Sequence, residues 1–244
     1  MKFSTLAVAL FASTTLVSVS SKKFKGDRLT AVFDFGDLQA TVVVEQNKNL
    51  KALNVANWKV KINKFNEALC PSGELNWHVH EYPGTGIRDV GAAPDSSAPL
   101  CAPDVTGGHY DPTFACGGAS QNNAGVDSDG EKTGGVCAVL RATDQVPEGE
   151  GYGKVKAADS YDSCKPDNQS SCEIGDQSGK LGKLTAFKKN LTPKQKKKGQ
   201  RFTDKWMTPI DATLTGKSLV LRCCSEADGC GPRLACANLE SRTT

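Results

Sequence analysis

Trp77-His78-Val79-His80-Glu81-Tyr82-Pro83 is the stretch that decides how the chain is read, together with an answering stretch, Gly107-Gly108-His109-Tyr110-Asp111-Pro112. The chain has 244 residues and only three histidines, and all three lie in these two segments. Successive side chains on a β-strand point to opposite faces, so His78 and His80 project to one side and Trp77 and Val79 to the other. Two imidazoles thus face one point with apolar support behind them. A third imidazole carried on a glycine-rich turn completes three corners of a site for a metal such as copper or zinc, which neutral imidazole suits.

Outward from this pair the chain reads as all-β. Strand-like runs are expected at Leu29–Phe35, Leu38–Val44, Trp58–Ile62, Leu75–Tyr82, Lys183–Phe187 and Ser218–Leu221. In the third run Trp58, Val60 and Ile62 alternate with Lys59 and Lys61, the pattern of a strand with one buried and one wet face. No stretch of comparable length carries a 3.6-residue apolar period.

Residues 1–20 hold one positive charge, an apolar run and then small residues, the order found in a secretory signal peptide. Its apolar core is too short, and too interrupted by Ser and Thr, to span a membrane. Removing it takes away Lys2 and no acid, which lowers the formal charge from +3 to +2. All ten cysteines lie beyond it, and an even number in a secreted chain reads as disulfides. The expected localisation is extracellular.

The domain organisation is then a signal peptide at 1–20 and one β domain at 21–244. A Cys/Gly-rich insertion is expected at about 113–171 and a basic loop at 188–201. The insertion is poor in apolar residues and needs its cysteines to hold a shape. The loop, Lys188 to Arg201, carries seven cations and no acid, a candidate contact for acidic surface polymers or else simply a solvated surface. It has no interleaved aromatic residues, which argues against nucleic acid. Asn168-Gln169-Ser170 and Asn190-Leu191-Thr192 are glycosylation sequons.

Five motifs in order resemble the copper/zinc superoxide dismutase family. His78-Val79-His80-Glu81 looks like its copper-binding HxHE strand and Gly108-His109-Tyr110-Asp111-Pro112 like its turn bearing the third histidine. Glu173-Ile174-Gly175-Asp176-Gln177-Ser178-Gly179-Lys180, Gly216-Lys217-Ser218-Leu219-Val220-Leu221-Arg222 and Arg233-Leu234-Ala235-Cys236 resemble its later segments. The resemblance implies an eight-stranded Greek-key β-barrel, a Cys101–Cys236 disulfide and one copper ion on His78, His80 and His109. It implies superoxide as substrate, with Arg233 drawing in the anion and His109 as the ligand whose bond to copper is made and broken.

Two departures narrow the resemblance. Between His109 and Glu173 there is no histidine, so zinc is not expected, and only Asp176 stands at a zinc-ligand position. Glu173 replaces a zinc-ligating histidine, as in the secreted copper-only subgroup, where a glutamate orients the third histidine. The family's fourth copper histidine aligns with Arg222, which cannot give up its proton to bind a metal. Cys224 shares the strand parity of Arg222 and is a substitute ligand only if it is not in a disulfide. The expected function is a secreted copper-only superoxide dismutase-like protein with weakened or lost activity. The alternatives are a non-catalytic copper-binding protein and a metal-free scaffold.

Overall fold

A computed structural model describes residues 28–46, 55–90, 97–123, 135–143, 163–225 and 229–241. The signal-peptide reading of residues 1–20 lies outside them, as do parts of the 113–171 insertion. Five strands form one antiparallel sheet: β1 (Arg28–Asp34), β2 (Leu38–Gln46), β3 (Ala56–Phe65), β7 (Gln200–Asp204) and β10 (Glu240–Ser241), in the order β10-β1-β2-β3-β7. The second sheet contains β4 (Glu74–His80), β5 (Gly86–Ile87), β6 (Leu184–Thr185), β8 (Ser218–Ser225) and β9 (Gly229–Asn238), ordered β5-β9-β8-β4-β6. Short helices interrupt the connections: α1 (Pro103–Thr106), α2 (Gly135–Thr143), α3 (Gln177–Leu181), α4 (Pro193–Lys198) and α5 (Ile210–Leu214). The all-β expectation holds. The expectation of eight strands does not match the described residues, which form ten strands in two sheets, three of them only two residues long.

The alternation read at Trp58–Ile62 extends over most of β3, whose residues are alternately buried and exposed from Ala56 to Asn63. Its buried Trp58 meets Trp77 of β4 edge-to-face, with ring centroids 5.3 Å apart, so the two sheets are joined through their largest side chains. β9 is absent from the runs read by alternation because Gly229, Gly231 and Pro232 break its period, and Pro inside a run argues against a strand. Its partner β8 shifts register on both sides of Arg222, a bulge that accommodates such residues.

β4 is buried on both faces, unlike a strand with one wet side. Along one edge it pairs with β8, and along the other β6 covers only Glu74 and Leu75. The rest of that edge is closed by the segment leading into α3. The Trp77 amide donates to Ser178 Oγ at 2.6 Å and the Val79 amide to the Gly175 carbonyl at 2.8 Å. An exposed strand edge is thereby satisfied, and residues 173–178 are brought beside the histidines.

Four disulfides hold the loops: Cys70–Cys223, Cys101–Cys236, Cys116–Cys137 and Cys164–Cys172. The first two close 153 and 135 residues and tie loops to β8 and β9. In the entropic picture each is worth a few kcal/mol, about 4–5, against the unfolded chain. The other two are local, spanning 21 and 8 residues, so the insertion is stapled to itself rather than to the sheets. Cys224 stands opposite Cys230 in the β8–β9 register.

The basic loop is more ordered than expected. Its residues Pro193–Lys198 form α4, and β7 begins at Gln200. The Thr192 hydroxyl and the Gln195 side chain cap the start of the helix reciprocally, a Thr-x-x-Gln signature present in the sequence. No helix among the described residues is long and apolar enough to cross a membrane.

Candidate metal centre

The three histidines are brought to one place, and all three are buried. His78 and His80 come from β4, two residues apart. His109 arrives on the turn after α1, its backbone bridged to His80 on one side and to Ser120 on the other. The His78 and His109 rings stack with centroids 4.1 Å apart, and His80 stands edge-on to His109 at 5.0 Å. One ring nitrogen from each lies within 4.8 Å of the other two.

A triangle of backbone hydrogen bonds sets this convergence. The Tyr110 amide donates to the Val79 carbonyl (2.9 Å), the Gly175 amide to the Tyr110 carbonyl (2.7 Å), and the Val79 amide to the Gly175 carbonyl (2.8 Å). Val79 sits between His78 and His80, Tyr110 follows His109, and Gly175 lies between Glu173 and Asp176. Three sequence-distant segments are thus locked together one residue away from every histidine. Only glycine fits at 175, since a Cβ there would run into the Val79 carbonyl oxygen and the Tyr110 backbone.

Each imidazole has one nitrogen committed to an acceptor. His109 Nδ1–H donates to Glu173 Oε2 at 2.6 Å, His80 Nδ1–H donates to the Gly107 carbonyl at 2.9 Å, and His78 Nε2 lies 3.4 Å from Asp176 Oδ1. The remaining nitrogens, His109 Nε2, His80 Nε2 and His78 Nδ1, are buried and have no hydrogen-bond partner. Acceptors on one side leave lone pairs on the other, so the tautomers follow from the partners. Three buried lone pairs left unsatisfied on one cluster of rings are costly unless something accepts them, and a metal ion does.

The electrostatics agree with neutral rings. Burial, with the neighbouring His109 as a lesser cause, lowers the His78 pKa to about 4. Burial likewise takes His109 to about 4 and His80 well below its ordinary value. The Arg222 guanidinium contributes to the lowering at His78 and His109, which puts its charge in reach of the site. Its Nε donates to the Gly231 carbonyl at 2.9 Å.

Arg233 is buried beside the same turn. Its guanidinium donates to the Cys101 carbonyl (3.1 Å), the Thr106 hydroxyl and the Gly107 carbonyl (2.8 Å). Burial, then the nearby Arg222, lowers its pKa to about 10, still cationic at neutral pH.

Two contributors were not read from the sequence. The Gly107 carbonyl holds His80 and Arg233 together, and no side chain signals it. Asp176, expected only at a zinc-ligand position, instead faces His78 and caps α3 by accepting from the Gly179 amide at 2.8 Å. The first part of the insertion also has a place here. Asp111 accepts from the Ala115 and Cys116 amides and from the Ser120 hydroxyl, while the His109 amide donates to the Ala119 carbonyl. Residues 113–123 therefore buttress the third histidine. A second group, Asp111 with Cys116 and Cys137, is no metal site, because its two sulfurs are bonded to each other.

No protein-family model and no curated protein matches the chain. Among solved structures it is similar to Candida albicans superoxide dismutase 5 in the Cu(II) form, at 16% identity and a TM-score of 0.42, covering 89% of this chain and 94% of that one. The clock protein EA4 is similar at 14% identity and a TM-score of 0.41, covering 88% and 94%. A single-residue variant of the Candida albicans enzyme gives 14% and 0.41, covering 90% and 94%.

Proposed function

We propose that this chain is a secreted, copper-only superoxide dismutase-like protein that holds one copper ion on His78, His80 and His109. The observation that carries the reading is the set of three partnerless ring nitrogens, His78 Nδ1, His80 Nε2 and His109 Nε2, each opposite a nitrogen already committed to an acceptor. Imidazole donors suit copper, and the resemblance of the five motifs points to the same metal. A copper ion there supplies the one-electron exchange by which two superoxide anions and two protons become dioxygen and hydrogen peroxide.

The chain's own residues divide the remaining work. Glu173 and Asp176 orient His109 and His78 and make them better donors, the usual task of a carboxylate behind a metal-binding imidazole. Arg233, fixed by three acceptors, presents a cation that draws in the superoxide anion and holds it for electron transfer. The four disulfides agree with an extracellular setting. The finer architecture we assign is the family's Greek-key barrel, built from the longer strands of the two sheets.

One observation favours a second reading. The Arg222 charge, placed where the family has a fourth imidazole, opposes Cu(II) more than Cu(I), so a copper-binding protein without dismutation is the alternative. Copper stoichiometry and dismutation measured on one oxidised sample separate the two. One copper per chain with dismutation abolished by His109→Ala supports the enzyme. One tightly held copper with no dismutation supports the binding protein, and no copper above background refutes both.

A further inference from the structure

The lysine-rich segment 188–201 does not stand alone once the chain is folded. β3 lies next to β7, and its exposed face carries Lys59, Lys61 and Lys64. In the register of the pair, Lys59 is directly opposite Arg201, and both side chains are exposed. Like charges facing each other across strands destabilise a sheet. The neighbours on the other side offer no relief, since Lys59 faces Val43, Lys61 faces Thr41 and Lys64 faces Gln39 of β2.

The patch continues beyond the strands in both directions. Gly199, just after α4, sits against Val60 and Lys61, so the last turn of α4 with Lys196, Lys197 and Lys198 arrives beside Lys61. At the far end of β3, Lys64 shares a cleft of about 370 Å³ with Lys188 and Lys189, walled by Phe65 and Phe187. Glu67 at its rim pairs with Lys189 at 3.6 Å. Among the described residues that is the one carboxylate ion-paired with any cation of this face. The lysines of α4 favour the carbonyl end of their helix and have a local reason to be there. The Lys59–Arg201 opposition has none within the fold.

We propose that this face binds an extended acidic polysaccharide, whose carboxylate or sulfate groups bridge the opposed cations of β3, β7 and α4. The cations are spread along a strand and a helix rather than gathered in a pocket, which matches charges repeated along a polymer. All but one are lysine, a flexible point charge that does not demand the planar fork of a nucleic-acid contact. The large exposed apolar side chains of the described residues, such as Tyr82, Leu100 and Val136, lie on other segments. Apart from Phe65 and Phe187, which wall the cleft at one end and are not among the exposed apolar side chains, the face has neither the apolar wedge of a membrane-surface site nor a row of stacking rings for a single strand.

The test is binding of the full oxidised protein to heparin, with duplex DNA and phosphatidylserine vesicles as competing probes, across a salt series from about 50 mM. Heparin affinity is expected to fall at least tenfold in K59Q/K61Q/R201Q, and the slope of log Kd against log salt to drop by about two to three. A control that removes two cations off this face, K165Q/K183Q, is expected to stay within about twofold of the parent. Thermal unfolding reports that both variants fold, and relief of repulsion should raise rather than lower the midpoint of the first. Absence of heparin binding at the lowest salt, equal loss in the control, or tighter binding to DNA or vesicles than to heparin would overturn the proposal.

Discussion

His80 and Arg233 donate to one and the same acceptor, the carbonyl oxygen of Gly107, at 2.9 Å and 2.8 Å. A single peptide group in a left-handed glycine (φ 71°) therefore fixes both a candidate metal ligand and the cation beside it. The ligand candidate and the cation are thus referenced to one peptide group, although β4 anchors the first and the Cys101 and Thr106 acceptors anchor the second.

Arg233→Gln should separate their roles. Copper per chain is expected to stay near one, because the ligand nitrogens are untouched, while the dismutation rate constant falls about tenfold to a hundredfold and loses much of its salt dependence. Rates measured over a range of ionic strength check this.

Gly175→Ala should loosen the triangle that joins the three histidine-bearing and carboxylate-bearing segments. Its Cβ would lie 2.7 Å from the Tyr110 amide nitrogen and 2.9 Å from the Tyr110 carbonyl oxygen. Overpacking of this kind costs about 1–3 kcal/mol. Displacing Glu173 and Asp176 with it should weaken copper about tenfold or more, read by competition with a chelator.

Arg222→His is expected to strengthen the site. It removes a cation that helps depress His78 and His109 and supplies a fourth imidazole from β8. Cu(II) affinity should rise at least tenfold and dismutation should increase, whereas unchanged affinity would mean that the 222 side chain does not reach the centre.

Stability of the copper-free protein should depend on acid through the buried rings. His78 and His109 have an ordinary pKa of 6.5 and a folded pKa of about 4, so between those values the unfolded chain binds more protons. Their contribution is fully present above about 6.5 and is lost as pH falls towards about 4. Each ring accounts for about 3 kcal/mol in full. Urea midpoints measured between about pH 4 and 7 should fall steeply at the acid end, and a flat profile would contradict neutral buried imidazoles.

Lys180→Met tests a support away from the metal. Lys180 Nζ donates to Asp204 Oδ2 (2.6 Å), the Ile174 carbonyl (2.7 Å) and the Trp206 carbonyl (3.0 Å), with both charges fully buried. The ammonium thus ties α3 and the 173–176 segment to β7. Stranding the Asp204 carboxylate should cost about 3–5 kcal/mol, more than removing both charges in K180M/D204L, as measured by denaturant unfolding.

The strand class, the grouping of the three histidines and the side of β4 on which two of them lie were all legible in the order of residues. A period of two cannot put His78 and His80 on opposite faces, and three histidines leave no other set to choose from. The motifs also carried Glu173 to its place on His109 and Cys101 to Cys236. Other features wait for the folded chain, because they depend on groups with no side-chain signal or on pairings far apart in sequence. The Gly107 carbonyl, the Gly175 triangle, the turn of Asp176 towards His78 and the opposition of Lys59 to Arg201 all belong to this kind. Periodicity alone did not show strand β9 for a related reason: its glycines and proline erase the local period, while its hydrogen bonds come from β8, which only the assembled sheet supplies.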